Sequence, residues 1–170
     1  MLGWMLFFSI LRQWMIGKAD AMSLEMIFKV SAGLSVLGWL ALFLFPRRRA
    51  VNWWLCGTIL PALYAVVYTI LCIVYWNQSP AGFAERFGSL AGLLSMFNTS
   101  SGLLFAGYVH YLAFDLFIGA WQARRAVVHN LPYLLLLPCL FLTLVFGPMG
   151  LLLNMLITVL RGQWVPETEQ

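Results

Sequence analysis

Apolar residues in this chain gather in long unbroken blocks, with the charged and turn-forming residues confined between them. The first block covers about residues 24–45 and stops at Pro46-Arg47-Arg48-Arg49; the second, 51–76, carries no charge and ends in the turn-formers Asn77-Gln78-Ser79-Pro80-Ala81-Gly82. The third, 102–121, holds one acid and one histidine before Arg124-Arg125, and the fourth covers 131–160. A helix needs roughly 20 apolar residues to cross the hydrocarbon core, so each block predicts a crossing. The expected fold class is all-α: a polytopic, four-transmembrane-helix bundle. As one straight helix the fourth block would be about 45 Å long against a core of about 30 Å. A tilt, kink or overhang is expected there, at Pro138 or at Gly147-Pro148, because proline cannot complete the helical hydrogen-bond ladder.

Between the second and third blocks, the 77–101 loop includes an apolar, glycine-containing stretch from Phe83 to Phe97, which predicts a short interfacial or re-entrant helix. Residues 1–21 form an N-terminal extension. Leu2–Leu11 followed by Ala19-Asp20-Ala21 has some features of a signal segment but lacks the basic start. Trp4, Phe7, Phe8, Arg12 and Trp14 predict an interfacial helix instead, and Met22 offers an alternative start. Residues 22–161 form the transmembrane domain, and 162–170 a polar tail.

Composition turns this pattern into a statement about solvent. With 62% hydrophobic and 9% charged side chains, the chain has far fewer charges than the roughly 25% of soluble domains. Lipid must therefore cover most of its surface. The net charge of +4 matters through its placement and does not indicate nucleic acid. Arg47-Arg48-Arg49 and Arg124-Arg125 share one side if the helices alternate, and basic loops mark the cytoplasmic side, or the stroma in a plastid. The acidic tail with Glu167 and Glu169 would then lie opposite, placing both termini on the non-cytoplasmic side of a bacterial inner, photosynthetic or plastid membrane. Cys56, Cys72 and Cys139 sit in apolar runs without metal-ligand spacing, which predicts inert thiols and no metal.

Ionisable groups inside a span are costly and are candidates for function. Here they are Asp115 and His110. At about 100° per residue, Ser101, Tyr108, Tyr111, Asp115, Gly119 and Gln122 form a polar stripe, whereas His110 points about 140° away from Asp115. Tyr111 stands one turn before Asp115, within hydrogen-bonding reach. Asp115 is thus a proton donor or acceptor, or a polar tie to a neighbouring helix. Along the second block Gly57, Pro61, Tyr64, Tyr68 and Tyr75 align, either as a wall for a flat apolar ligand or as hydroxyls that pin helices together. The fourth block aligns Cys139, Thr143, Gly147, Gly150, Asn154 and Thr158 as a close-packing face. Tyr64, Tyr68, Tyr108, Trp121 and Asn154 are the expected ligand contacts. No soluble-enzyme, nucleotide or cofactor motif is present.

Two stretches resemble a known family: Gly107-Tyr108-Val109-His110-Tyr111-Leu112-Ala113-Phe114-Asp115-Leu116-Phe117-Ile118-Gly119-Ala120-Trp121, and Leu137-Pro138-Cys139-Leu140 leading into Phe146-Gly147-Pro148-Met149-Gly150-Leu151-Leu152. With Gly38-Trp39, Pro46-Arg47 and Gly88-Ser89-Leu90-Ala91-Gly92, they are similar to the abscisic-acid-deficient-four-like family over roughly Ser23 to Arg161, with Tyr108 where that family usually has Trp. Plant members are membrane proteins required to turn violaxanthin into neoxanthin. The resemblance implies cofactor-independent isomerisation of an epoxy-carotenoid to an allenic one. An acid would serve the epoxide oxygen and a base the polyene proton. Asp115 would fill one role, with Tyr111 or His110 in the other. The competing expectation is a non-catalytic subunit that binds carotenoid, another apolar isoprenoid pigment or lipid within a membrane complex such as a photosynthetic one.

Overall fold

The computed structural model describes residues 2–76 and 83–162, with side chains described from Ser23 onward except at Phe83. The aromatic side chains expected of an interfacial N-terminal helix, the 77–82 turn cluster and the acidic tail lie outside the described residues. All regular structure among the described residues is helical. The elements are α1 (Leu2–Leu44), a π-helix (Ala50–Ile59) that continues into α2 (Leu60–Tyr75), α3 (Phe83–Phe87), α4 (Leu90–Thr99), α5 (Ser101–Val128), α6 (Tyr133–Phe146) and α7 (Pro148–Leu160).

Three helices are long and apolar enough to cross a membrane: Ser23–Leu44, Ala50–Tyr75 and Ser101–Val128. The chain divides into two units, residues 1–33 and 34–170. In the first, Lys29 Nζ pairs with Glu25 Oε1 one helical turn away at 3.3 Å. No break separates residues 2–22 from the rest of α1, so the expected extension and first crossing are one helix.

In the second unit, α5 is the central element, packed by the end of α1, by α2 with its π-helix, by α4 and by the α6–α7 hairpin. The end of α1 runs alongside it. A methyl group at Gly119 would come within 2.7 Å of the Trp39 ring, and one at Gly38 within 2.7 Å of Leu60 and 3.2 Å of Leu116. Small residues at Gly38 and Gly119 therefore let three helices converge, and Cys56 Sγ adds a contact to the Gly38 carbonyl at 3.3 Å. α2 runs antiparallel to α5: Tyr75 lies on Gly102, Tyr68 beside His110, and Gly57 beside Arg124.

The charged pair Arg124-Arg125 ends the apolar block but not the helix. Its guanidinium groups lie over aromatic faces, Arg124 4.7 Å from the Trp53 ring centre and Arg125 5.1 Å from that of Trp121. α5 therefore continues to Val128. There Asn130 takes a positive φ of 49°, Asn130 N–H bonds Val127 O, and Leu131 N–H reaches back to Ala126 O at 2.9 Å, a left-handed cap that stops the helix. At the other end, the Ser100 side chain accepts from Leu103 N–H. The 77–101 loop holds two short helices instead of the single one expected, and Ser89 caps the second of them by accepting from Gly92 N–H at 3.0 Å.

The fourth block departs furthest from expectation. Pro138 lies inside α6, but the chain breaks at Gly147, whose φ of 44° and ψ of −89° suit glycine, and Pro148 starts a new helix. α7 then doubles back on α6. Gly150 is seated directly on Thr143 and the Cys139 carbonyl, and Asn154 reaches the Cys139 thiol. The six small and polar residues expected to face a neighbour as one stripe are folded onto one another across this hairpin. Each arm is about 20 Å long, too short to cross a core of about 30 Å. The chain consequently returns at Gly162 to the end of the bundle that holds Arg47 and Asn130. The expectation that the tail lies opposite the basic loops depended on a single crossing here.

Candidate functional site

Asp115 lies midway along α5 and is 6% exposed. Its carboxyl abuts the turn of the α6–α7 hairpin: a methyl group at Gly147 would come within 2.6 Å of Oδ1 and 3.3 Å of Oδ2. Only a residue without a side chain lets the carboxyl approach so closely. Asp115 Oδ2 has no hydrogen-bond partner, which is unusual for a buried polar atom and leaves one acceptor position open.

Tyr111, one turn earlier and 37% exposed, lies between this carboxyl and the hairpin. It interacts with the Asp115 side chain and donates to Leu144 O at 2.8 Å. That carbonyl belongs to the last turn of α6, and its helical donor would be residue 148, a proline with no N–H. The tyrosine supplies a substitute, as irregular backbone at membrane depth requires. Two turns beyond Asp115 along α5, Gln122 Nε2 donates to Thr143 Oγ1 at 3.0 Å, and the single Thr143 hydroxyl proton has Cys139 O at 2.8 Å and Gln122 Oε1 at 3.1 Å as alternative acceptors. Both side chains are fully buried. The polar stripe of α5 thus meets the polar face of α6 along its length, and the open carboxyl oxygen sits at the hairpin tip.

The other candidate residues lie elsewhere. His110 is exposed on a different side of α5, its ring centre 5.5 Å from that of Tyr68 and 4.6 Å from that of Phe114. It does not join Asp115. Tyr64 is buried and interacts with Ser35 of α1 and with Tyr108; Tyr108 in turn lies against Phe105 at 6.5 Å. The tyrosine row of α2 therefore serves several contacts and does not form one wall. Trp121 stacks under Arg125 near the basic end, and Asn154 is enclosed within the hairpin. Among the described residues no group of His, Cys, Asp and Glu is placed to hold a metal ion.

Three features of the site had no direct mark in the sequence. The Leu144 carbonyl is backbone and carries no side-chain signal. The pairing of Gln122 with Thr143 joins two stripes that were visible only separately. The π-helix widens the chain around Asn52, whose carbonyl accepts from Arg124 Nη1 at 2.6 Å next to Gly57.

This central region is also where the chain matches known sequences. The family model described as ABA DEFICIENT 4-like matches residues 26–153, from the first crossing through Asp115 and past the hairpin turn. The chain belongs to the ABA DEFICIENT 4-like family. No curated protein and no solved structure matches it. In this ABA DEFICIENT 4-like chain the matched region contains every residue of the Asp115 site, and Thr158 and Arg161 fall outside it.

Proposed function

We propose that this protein is an intramembrane acid/base isomerase acting on an epoxy-carotenoid. The observation that carries the reading is the unpartnered oxygen of Asp115 at the hairpin tip. Membership of the ABA DEFICIENT 4-like family supports the substrate class. Tyr111, partly exposed beside the carboxyl, provides the route by which an apolar ring reaches it from the lipid.

Opening the epoxide to an allene moves one proton and no electrons to or from the enzyme. Asp115 gives its proton to the epoxide oxygen as the bond from that oxygen to the ring carbon bearing the polyene breaks. The positive charge spreads into the polyene. The carboxylate then removes the proton from the first polyene carbon, the new double bond of the allene forms, and the oxygen remains as a hydroxyl. Asp115 recovers its proton, so one group acts as acid and then as base. Tyr111 holds the carboxyl in position. His110, on another side of α5, takes no part.

The test is expression in a host that makes violaxanthin, with pigments separated by chromatography. The wild-type chain should yield an allenic product, Asp115→Asn should yield none while remaining folded, and Tyr111→Phe should yield less. An unchanged pigment profile with well-expressed wild-type protein would refute the proposal.

A second reading is favoured by the exposed cluster of His110, Tyr68 and Phe114, whose rings line a lipid-facing surface. On that reading the protein binds a pigment without changing it. Solvent extraction of the purified protein distinguishes the two, since a bound and chemically unaltered carotenoid whose retention depends on Tyr68 would support pigment binding.

A further inference from the structure

At the basic end of the bundle, the last turn of α1 and the start of α6 frame a groove of about 640 Å³ lined by Leu44, Phe45, Pro46, Arg47, Arg48 and Tyr133. Two cross-links hold its walls apart at a fixed distance: Tyr133 Oη donates to Phe43 O at 2.7 Å, and Arg47 Nη2 donates to Leu131 O at 3.3 Å. The first satisfies a carbonyl of the last turn of α1, and the second fixes the base of the Arg47 guanidinium. Four of the five guanidinium N–H donors of Arg47 stay available.

Charge at this end is unbalanced among the described residues. Arg47, Arg48 and Arg49 are all exposed, and none forms an ion pair with a described residue. Of the described carboxylates, Glu25 pairs with Lys29, Glu85 lies in α3 and Asp115 abuts the hairpin tip. The counter-charge must therefore come from another molecule or from the tail. The groove also has an apolar wall, with Leu44 68% and Phe45 52% exposed, directly below the two arginines. A cationic rim over an apolar wall at a membrane boundary matches an anionic amphiphile, with the guanidinium groups on its phosphate and its chain on the apolar wall.

We propose that this groove binds the headgroup of an anionic phospholipid, Arg47 and Arg48 holding the phosphate and Leu44 and Phe45 the upper part of an acyl chain. The lipid braces α1 to α6 at the point where the hairpin starts, and its binding weakens as salt rises.

Native mass spectrometry of the full chain in detergent tests this with phosphatidylglycerol and phosphatidylcholine as probes. The wild type should keep one phosphatidylglycerol under conditions that remove phosphatidylcholine. R47Q/R48Q should lower that retention several-fold. L44W, which fills the groove and leaves every charge in place, should lower it as well, and it decides the matter if the double variant does not fold. R49Q should retain the lipid, because Arg49 lines a separate groove with Trp53, Trp54 and Thr58; E167Q/E169Q should retain it too. Equal retention of both lipids by the wild type, or an equal loss in R49Q, would overturn the proposal. So would displacement of the lipid by inorganic phosphate, which would assign the site to a free anion.

Discussion

α2 and the α6–α7 hairpin both pack on α5, and they do so by different means. α2 with its preceding π-helix spans Ala50–Tyr75 and meets α5 through rings and small residues, Tyr75 on Gly102 and Tyr68 beside His110. The hairpin arms are about half as long and are tied by polar groups: Gln122 with Thr143, Tyr111 with Leu144 O, and Asp115 against Gly147. A long apolar helix in lipid gains enough from shape and packing. A short one that ends in mid-bundle must have its broken backbone satisfied by its neighbours. The polar groups that do this are also those available for chemistry, so the candidate site lies on the hairpin side of α5.

The contrast can be broken outright by a topology measurement. With single cysteines in an otherwise cysteine-free chain, Gly162→Cys and Arg48→Cys should react with a membrane-impermeant maleimide from the same side of sealed vesicles. Labelling from opposite sides would mean that the fourth block crosses. A smaller but still large effect is expected at Gly150, where any side chain meets Thr143 and the Cys139 carbonyl. Gly150→Val should destabilise the detergent-solubilised protein by about 1–3 kcal/mol or more. Gly107→Ala, where the added carbon meets only the edge of Phe97 at 3.3 Å, should change its thermal midpoint little.

Next in size is the Gln122 and Thr143 pair. Gln122→Leu or Thr143→Val alone leaves a buried partner unsatisfied and should cost about 1–2 kcal/mol. The double variant should cost less than the sum in a denaturation cycle, whereas Tyr68→Leu on the α2 side should show no such coupling to His110→Leu.

The smallest effect concerns His129, which lies past the end of α5. Burial and the adjacent Arg125 hold its imidazole below the ordinary value of 6.5. The neutral form is therefore the one the fold favours. Its contribution is complete above pH 6.5 and is lost as pH falls through the lowered folded-state value. His129→Gln should flatten this part of a stability–pH profile.

Much of this was readable from the chain. The three long blocks gave the helices long and apolar enough to cross a membrane, and the arginine clusters gave the basic end, because lipid imposes length and charge rules that act on sequence directly. The opposed placement of Asp115 and His110 followed from helical geometry. The hairpin did not, since a block that runs from Leu131 to Leu160 has the same composition whether it passes straight through or turns back. Gly147-Pro148 marked a place to bend without fixing the angle. The fold of the stripe from Cys139 to Thr158 onto itself depends on contacts between residues brought together only after the turn. The π-helix was equally silent, because the Arg124 guanidinium that bonds its Asn52 carbonyl comes from another helix.

The Gly147 turn has a consequence for how the protein is made. Membrane insertion sorts segments by length and hydrophobicity, and by those measures residues 131–160 qualify as one crossing. Within that segment, Gly150 seated on Thr143 and Asn154 at the Cys139 thiol already favour the folded-back form. α5 adds to that preference, since Tyr111, Asp115 and Gln122 are the groups that receive the hairpin. The folded-back form therefore gains part of its stability only once α5 is in place to receive it. A variant that weakens those contacts, such as Gln122→Leu, is expected to shift part of the population to the straight form, read as Gly162→Cys labelling from both sides of sealed vesicles.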